Sequence, residues 1–174
     1  MRFIILPGNG CTNILKSNWY SWLAEELRSR SLEVAIENMP DPYVARESAW
    51  IPFIHNTLKV DEDTVVIGHS SGALAAMRLI EKTPVYGTIL VAAAHTDLGD
   101  ENERASGYFD RPWDFASMRK NTKGFFHQFH SVDDHLIPIS EAQYVAQHLQ
   151  NIETDADVGV ELAPFKYDEL SDRS

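Results

Sequence analysis

Residues Thr64 to Gly72 read Thr-Val-Val-Ile-Gly-His-Ser-Ser-Gly, four β-branched residues running into the pattern Gly-x-Ser-x-Gly. The run is the signature of a short buried strand. The pattern that ends it predicts a sharp turn into a helix, with Ser70 at the apex and its Oγ exposed above the sheet. Gly68 and Gly72 would leave room for the turn and for helix against strand. The Ala-rich run Ala73 to Glu81 supplies that helix, and its N-terminal N–H groups and positive dipole end suit a developing oxyanion. The chemistry predicted is acyl transfer with Ser70 as nucleophile. A plain Gly/Ser turn is the competing reading of these residues taken alone.

Upstream, Arg2 to Leu6 is a continuous apolar run, the mark of a strand covered on both faces, and Pro7-Gly8-Asn9-Gly10 stops it. Trp19, Trp22, Leu23 and Leu27 recur at helical spacing, with Ser17 or Asn18 as a cap. Leu32 to Ile36 is a thinner strand. A helix follows from about Val44 to Leu58, which Pro52 kinks or divides. Downstream of the Ser70 helix, Val85 to Ala93 is a strand and residues 95 to 113 form a long functional loop or cap with aromatic anchors. Asp114 to Lys120 is a short helix, Gly124 to Phe129 a strand, and Ser140 to Gln150 a helix. Strands thus alternate with helices, which predicts an α/β fold: a doubly wound, mostly parallel five-stranded sheet with helices on both faces. In such sheets ligands sit beyond the carboxyl ends of the strands, where the Pro7 loop, Ser70, His95 and Asp133-Asp134 can all converge.

The 174 residues suit one domain spanning 1–150 and an acidic tail, 151–174, expected to be largely disordered. The tail holds seven acids against Lys166 and Arg173, and Val158 to Leu162 is its weak strand candidate. A formal charge of -11 argues against nucleic acid or an anionic membrane as partner. Cys11 is the only cysteine, so no internal disulfide can form and a reducing setting is expected, cytoplasmic and also nuclear. The chain enters a strand at once, without a signal peptide, and no run approaches the length of a membrane span. No cofactor is expected: Pro-Gly-Asn-Gly lacks both the Rossmann spacing and the P-loop Lys, and the histidines follow no close metal-ligand pattern.

Acyl transfer needs, besides the nucleophile, a base, an acid that orients the base, and oxyanion donors. Asp133-Asp134 follows the fifth strand, where the acid belongs, although an Asp pair also builds turns. The backbone N–H groups of Asn9 and Ser71 are the natural oxyanion pair. The base is the gap. The seven histidines are His55, His69, His95, His127, His130, His135 and His148, and none follows a sixth strand. His148 lies mid-helix, and His69 should point away from where Ser70 aims. His135, His130 and His95, near strand ends on the correct edge, are the candidate substitutes, with structural or solvated roles as the competing reading.

The chain resembles the retinoblastoma-binding protein 9 family of small serine hydrolases. The resemblance rests on Pro7-Gly8-Asn9-Gly10, Asn38-Met39-Pro40-Asp41-Pro42, Ala45-Arg46-Glu47-Ser48, Gly68-His69-Ser70-Ser71-Gly72, the run from Asp97 to Tyr108, Arg111-Pro112-Trp113 and Asp133-Asp134. It implies an α/β-hydrolase fold, small ester or amide substrates, Ser70 as nucleophile and Asp134 as acid. The family's His lies in a Gly-His-Phe-like segment that this chain does not match, since the sequence departs from the pattern from Asn151 onward. Activity is therefore expected to be impaired. The family also implies the retinoblastoma protein as a partner through Leu-x-Cys-x-Glu, for which this chain offers Leu58-Lys59-Val60-Asp61-Glu62, with Val in place of Cys. A non-catalytic interaction protein on the same fold is the alternative.

Overall fold

The computed structural model describes residues 1–150 and 160–165. Six strands form one sheet: β1 (Arg2–Leu6), β2 (Glu33–Ala35), β3 (Thr64–His69), β4 (Val85–Val91), β5 (Thr122–Ser131) and β6 (Val160–Phe165). The order is β2-β1-β3-β4-β5-β6, and every pairing is parallel. The chain moves outward from β1 to β2, then returns to place β3 on the other side of β1. That reversal is the topological switch point. The Pro7–Gly10 loop and Ser70 leave the sheet there, from adjacent strands in register (Leu6 opposite Gly68).

The sequence reading expected five strands, and β6 is a sixth. Val160 pairs with Phe126 and Phe165 with Ser131, extending the sheet beyond the fifth strand. Its sequence, Val-Glu-Leu-Ala-Pro-Phe, reads weakly because an edge strand needs apolar character on few positions and tolerates a proline. Residues 151–159 and 166–174, which hold the remainder of the predicted disordered tail, lie outside the described residues.

Strand pleat separates two cores. Ile4, Leu6, Val66, Leu90 and Phe126 face a large cluster with α2 (Glu47–Asn56), α3 (Ser71–Ile80), α5 (Phe115–Asn121) and α6 (Ile139–Gln150), while Phe3, Ile5, Val65 and Ile67 face a smaller one with α1 (Tyr20–Ser29). Burial on both faces explains why β1 and β3 read as unbroken apolar runs. All ten residues of α3 are buried, so its small residues (Gly72, Ala73, Ala75 and Ala76) set how closely neighbours approach.

Local geometry differs from expectation at two helix starts. Ala45 has φ 57, a left-handed conformation that no helix can pass through, so α2 begins at Glu47 rather than Val44, with Pro52 inside it. Asn18 has φ 48 and turns the chain before α1, whose N-cap is Trp19 without a side-chain cap bond. In the 95–113 segment a short α4 (Glu101–Ala105) starts at Asp100, which accepts from the N–H groups of Asn102 and Glu103.

Candidate active site

At the end of β3 the backbone turns through Ser70 with φ 55 and ψ -120. A non-glycine residue at positive φ is strained and persists only where its surroundings hold it. Here the Ser70 N–H donates to the Val91 carbonyl at 2.9 Å, while its own carbonyl accepts from Ala73 and Leu74 at 2.8 and 3.2 Å. The flanking glycines are needed for close approach. A Cβ on Gly68 would meet the Gly72 carbonyl oxygen at 2.3 Å, and a Cβ on Gly72 would meet the Leu6 carbonyl oxygen at 2.4 Å. So α3 can begin against both β1 and β3 only because neither position carries a side chain.

The Pro7–Gly10 loop lies beside this turn. A Cβ on Gly8 would stand 3.2 Å from Ser70 Cβ and 3.6 Å from Ser70 Oγ. The Asn9 N–H donates to Ser71 Oγ at 3.3 Å, so the two residues expected to supply oxyanion donors are in contact next to Ser70. Gly10 N–H donates to the Pro42 carbonyl at 2.7 Å, and Asn9 Nδ2 donates to Glu103 Oε1 at 2.9 Å, tying the loop to α4. Burial, together with the neighbouring Asp100 charge, holds the Glu103 carboxyl above its usual range despite the Asn9 bond.

Asp134 lies in the loop after β5. Its Oδ1 accepts the N–H groups of Leu136 and Ile137 at 2.8 and 2.9 Å, so the residue builds its own turn with one oxygen. Its charge nevertheless reaches the switch point, since it opposes the lowering of the His69 pKa. Asp133 accepts from the Ser131 hydroxyl.

All seven histidines fall within the described residues. His130 is fully buried, with Nε2 2.8 Å from the Ile137 carbonyl. His95 is tethered to α6: its Nδ1 is 2.8 Å from Glu141 Oε2, outside linear hydrogen-bond geometry, and its ring stacks on Tyr144 at 3.7 Å. Glu141 also accepts the main-chain N–H groups of His95 and Thr96. His135 is exposed. His55 faces Thr83 and His148 stacks on Tyr144, both on helices, while His127 packs its ring against Phe125 on β5. Among the described residues none of these hydrogen-bonds to Ser70 Oγ.

His69 borders the same loop as Ser70: its Nδ1 and Ser70 Oγ each lie 3.6 Å from a Cβ placed on Gly8. The strand ends at His69 and the turn begins at once, so strict alternation no longer sets its direction. Tyr20, fully buried on α1, holds it: the Tyr20 hydroxyl is 2.6 Å from His69 Nδ1 and accepts the Gly8 N–H at 3.0 Å. Burial pushes His69 down to about 4 and Tyr20 up to about 12. The sequence reading missed both residues. Tyr20 reads as an ordinary core position of an amphipathic helix, and only the packing of α1 under the Pro7 loop brings it to the site.

A cleft of about 480 Å³ lies to one side, lined by His95, Phe109, Trp113, Phe115, Tyr144 and His148. Ser70 does not line it. Among the described residues no three His, Cys, Asp or Glu side chains gather as a metal site, and no helix is long and apolar enough to cross a membrane.

A family model described as Serine hydrolase matches residues 3–159. Serine hydrolase RBBP9 of Rattus norvegicus is 48% identical over 149 residues, covering 85% of this chain and 80% of the relative. The crystal structure of the ydeN gene product from B. subtilis superposes with a TM-score of 0.79 at 21% identity, covering 99% of this chain and 89% of that one. An esterase from Exiguobacterium antarcticum superposes with a TM-score of 0.67 at 12% identity, covering 99% and 87%. At these identities the two structures speak for the fold alone.

Proposed function

The chain belongs to the serine hydrolase family, and from that premise we propose that Ser70 is its nucleophile, Asp134 its acid, and the N–H groups of Asn9 and Ser71 its oxyanion donors. The observation that carries this reading is the Ser70 turn, at φ 55 and ψ -120, set against the Pro7–Gly10 loop with Asn9 and Ser71 in contact. The substrates are small esters or amides. Ser70 Oγ attacks the acyl carbon, and the carbonyl electron pair moves to oxygen, where the two N–H groups and the N-terminus of α3 stabilise it. The tetrahedral species collapses to an acyl-enzyme as the alcohol or amine departs with a proton, and water then releases the acid.

The proton of Ser70 needs an acceptor, and none of the seven imidazoles stands as one. Turnover is therefore impaired, on the order of 10⁴–10⁶-fold below an intact triad, with residual rate from binding and the oxyanion donors. A fluorophosphonate probe tests the assignment: slow labelling is expected, lost in Ser70→Ala. Rapid turnover of an activated ester would show that one of the histidines does serve as base. Labelling that survives Ser70→Ala would remove Ser70 as nucleophile.

The non-catalytic alternative, binding of the retinoblastoma protein through residues 58–62, draws no support from the geometry. Leu58 is 1% exposed in the core, Lys59 turns at φ 58, and Glu62 pairs with Lys123 at 2.5 Å. An extended peptide ligand would require this turn to open.

A further inference from the structure

The Tyr20 hydroxyl has one proton to give and two lone pairs to fill. Gly8 N–H donates to it at 3.0 Å and Asn18 Nδ2 at 3.4 Å, so both lone pairs have donors. Its remaining partner is His69 Nδ1 at 2.6 Å. The phenol proton must point there, which makes Nδ1 an acceptor and leaves the imidazole's own proton on Nε2. Trp19 closes the group edge-on, 4.9 Å from the Tyr20 ring and 5.8 Å from the His69 ring.

We propose that Tyr20 is a positioning residue of this site: its hydroxyl holds the Gly8 peptide, and with it the oxyanion loop, against Ser70, while it locks His69 as the Nε2–H tautomer. This rests on the reading of Ser70 as nucleophile. It also explains why His69, next to Ser70 in the sequence, is not its base. The nitrogen free of Tyr20 already carries a proton, and protonating Nδ1 would break the bond to the phenol. The burial that keeps both rings neutral at physiological pH points the same way. The whole arrangement runs in one direction: Gly8 N–H to Tyr20 oxygen, Tyr20 O–H to His69 Nδ1.

Nitrogen-15 spectra of the full chain with labelled histidine test this directly. Between about pH 5 and pH 8 the expected His69 pattern is a single neutral form with the proton on Nε2 and a hydrogen-bonded Nδ1. In Tyr20→Phe the Nδ1 resonance should move to its unbonded position, Gly8 amide exchange should rise about tenfold, and fluorophosphonate labelling of Ser70 should slow about tenfold with a cooperative melt retained. A proton on Nδ1 in the unmodified chain would overturn the proposal. So would a Tyr20→Phe variant with unchanged Nδ1 and Gly8 signals. Should that variant not fold, the tautomer in the unmodified chain decides alone. Absence of any Ser70 labelling would count against the hydrolase reading and leave the tautomer and exchange results to judge Tyr20.

Discussion

The guanidinium of Arg78 lies 3.7 Å from the centroid of the Trp113 ring, buried on the same helix whose N-terminus is the Ser70 turn. Its N–H groups donate to the carbonyls of Tyr108 (2.5 and 2.9 Å), Arg111 (2.6 Å) and Pro112 (3.1 Å), and to Glu81 at 2.5 Å. Trp113 in turn donates to the His95 carbonyl at 2.9 Å. One side chain thus fastens residues 108–113 to the helix behind Ser70.

Removing that anchor strips the carbonyls of Tyr108, Arg111 and Pro112 of its N–H groups and leaves Glu81 with only the Asp114 N–H and Arg111 as partners. Arg78→Met should destabilise the chain by about 3–5 kcal/mol, read as a lowered denaturant midpoint. Arg78→Lys should recover only part of this, because an ammonium cannot reproduce the planar fork.

Gly72→Ala places a methyl group 2.4 Å from the Leu6 carbonyl oxygen and 2.6 Å from that of Pro7, main-chain atoms with no rotamer to escape into. The expected cost is about 1–3 kcal/mol or more, measured by urea unfolding. The loss should be accompanied by slower Ser70 labelling, because β1, the Pro7–Gly10 loop and α3 meet at this contact.

His69 supplies a pH dependence. Its pKa is lowered from 6.5 to about 4 by burial, with Asp134 opposing. Between those values the unfolded chain binds the extra proton, so stability rises with pH through this window and is lost as pH falls through it. The contribution is on the order of 2–3 kcal/mol. Subtracting the stability profile of His69→Gln from that of the unmodified chain should isolate this limb. Tyr20 acts at the other end: its pKa is raised from 10.0 to about 12, so its stabilisation is present below pH 10 and is lost toward pH 12.

Glu103 carries a carboxyl held above its usual range while its Oε1 accepts from Asn9 Nδ2. The folded state therefore loses stability as pH rises through that region. Glu103→Gln keeps an acceptor for Asn9 and removes the charge. It should melt higher than the unmodified chain at neutral pH, with the difference vanishing in acid.

Leu58→Ala should cost about 2–5 kcal/mol as a core truncation. A pull-down with the retinoblastoma protein should be unaffected by Glu62→Ala, which leaves the core intact. Binding that depends on Glu62 would revive the motif.

The pattern Gly-His-Ser-Ser-Gly, with strand character before it and alanines after, determined the turn at Ser70, because the contacts that demand glycine at 68 and 72 are local to a strand–helix crossing. Burial of both faces likewise made β1 and β3 legible as continuous apolar runs, the mark of a parallel sheet covered by helices. The sixth strand was harder to read, since an edge strand pairs through backbone groups that carry no sequence signal. Only the tertiary structure decided which side chains surround Ser70. Tyr20 and His69 are 49 positions apart, and their bond depends on α1 packing beneath the loop from β1. Packing likewise decided the fate of the histidines near the strand ends: His130 closes on the Ile137 carbonyl in the loop after β5, and His95 on α6. A histidine's spacing in the chain says where it sits along a strand, but its partner is set by neighbours that folding alone brings together.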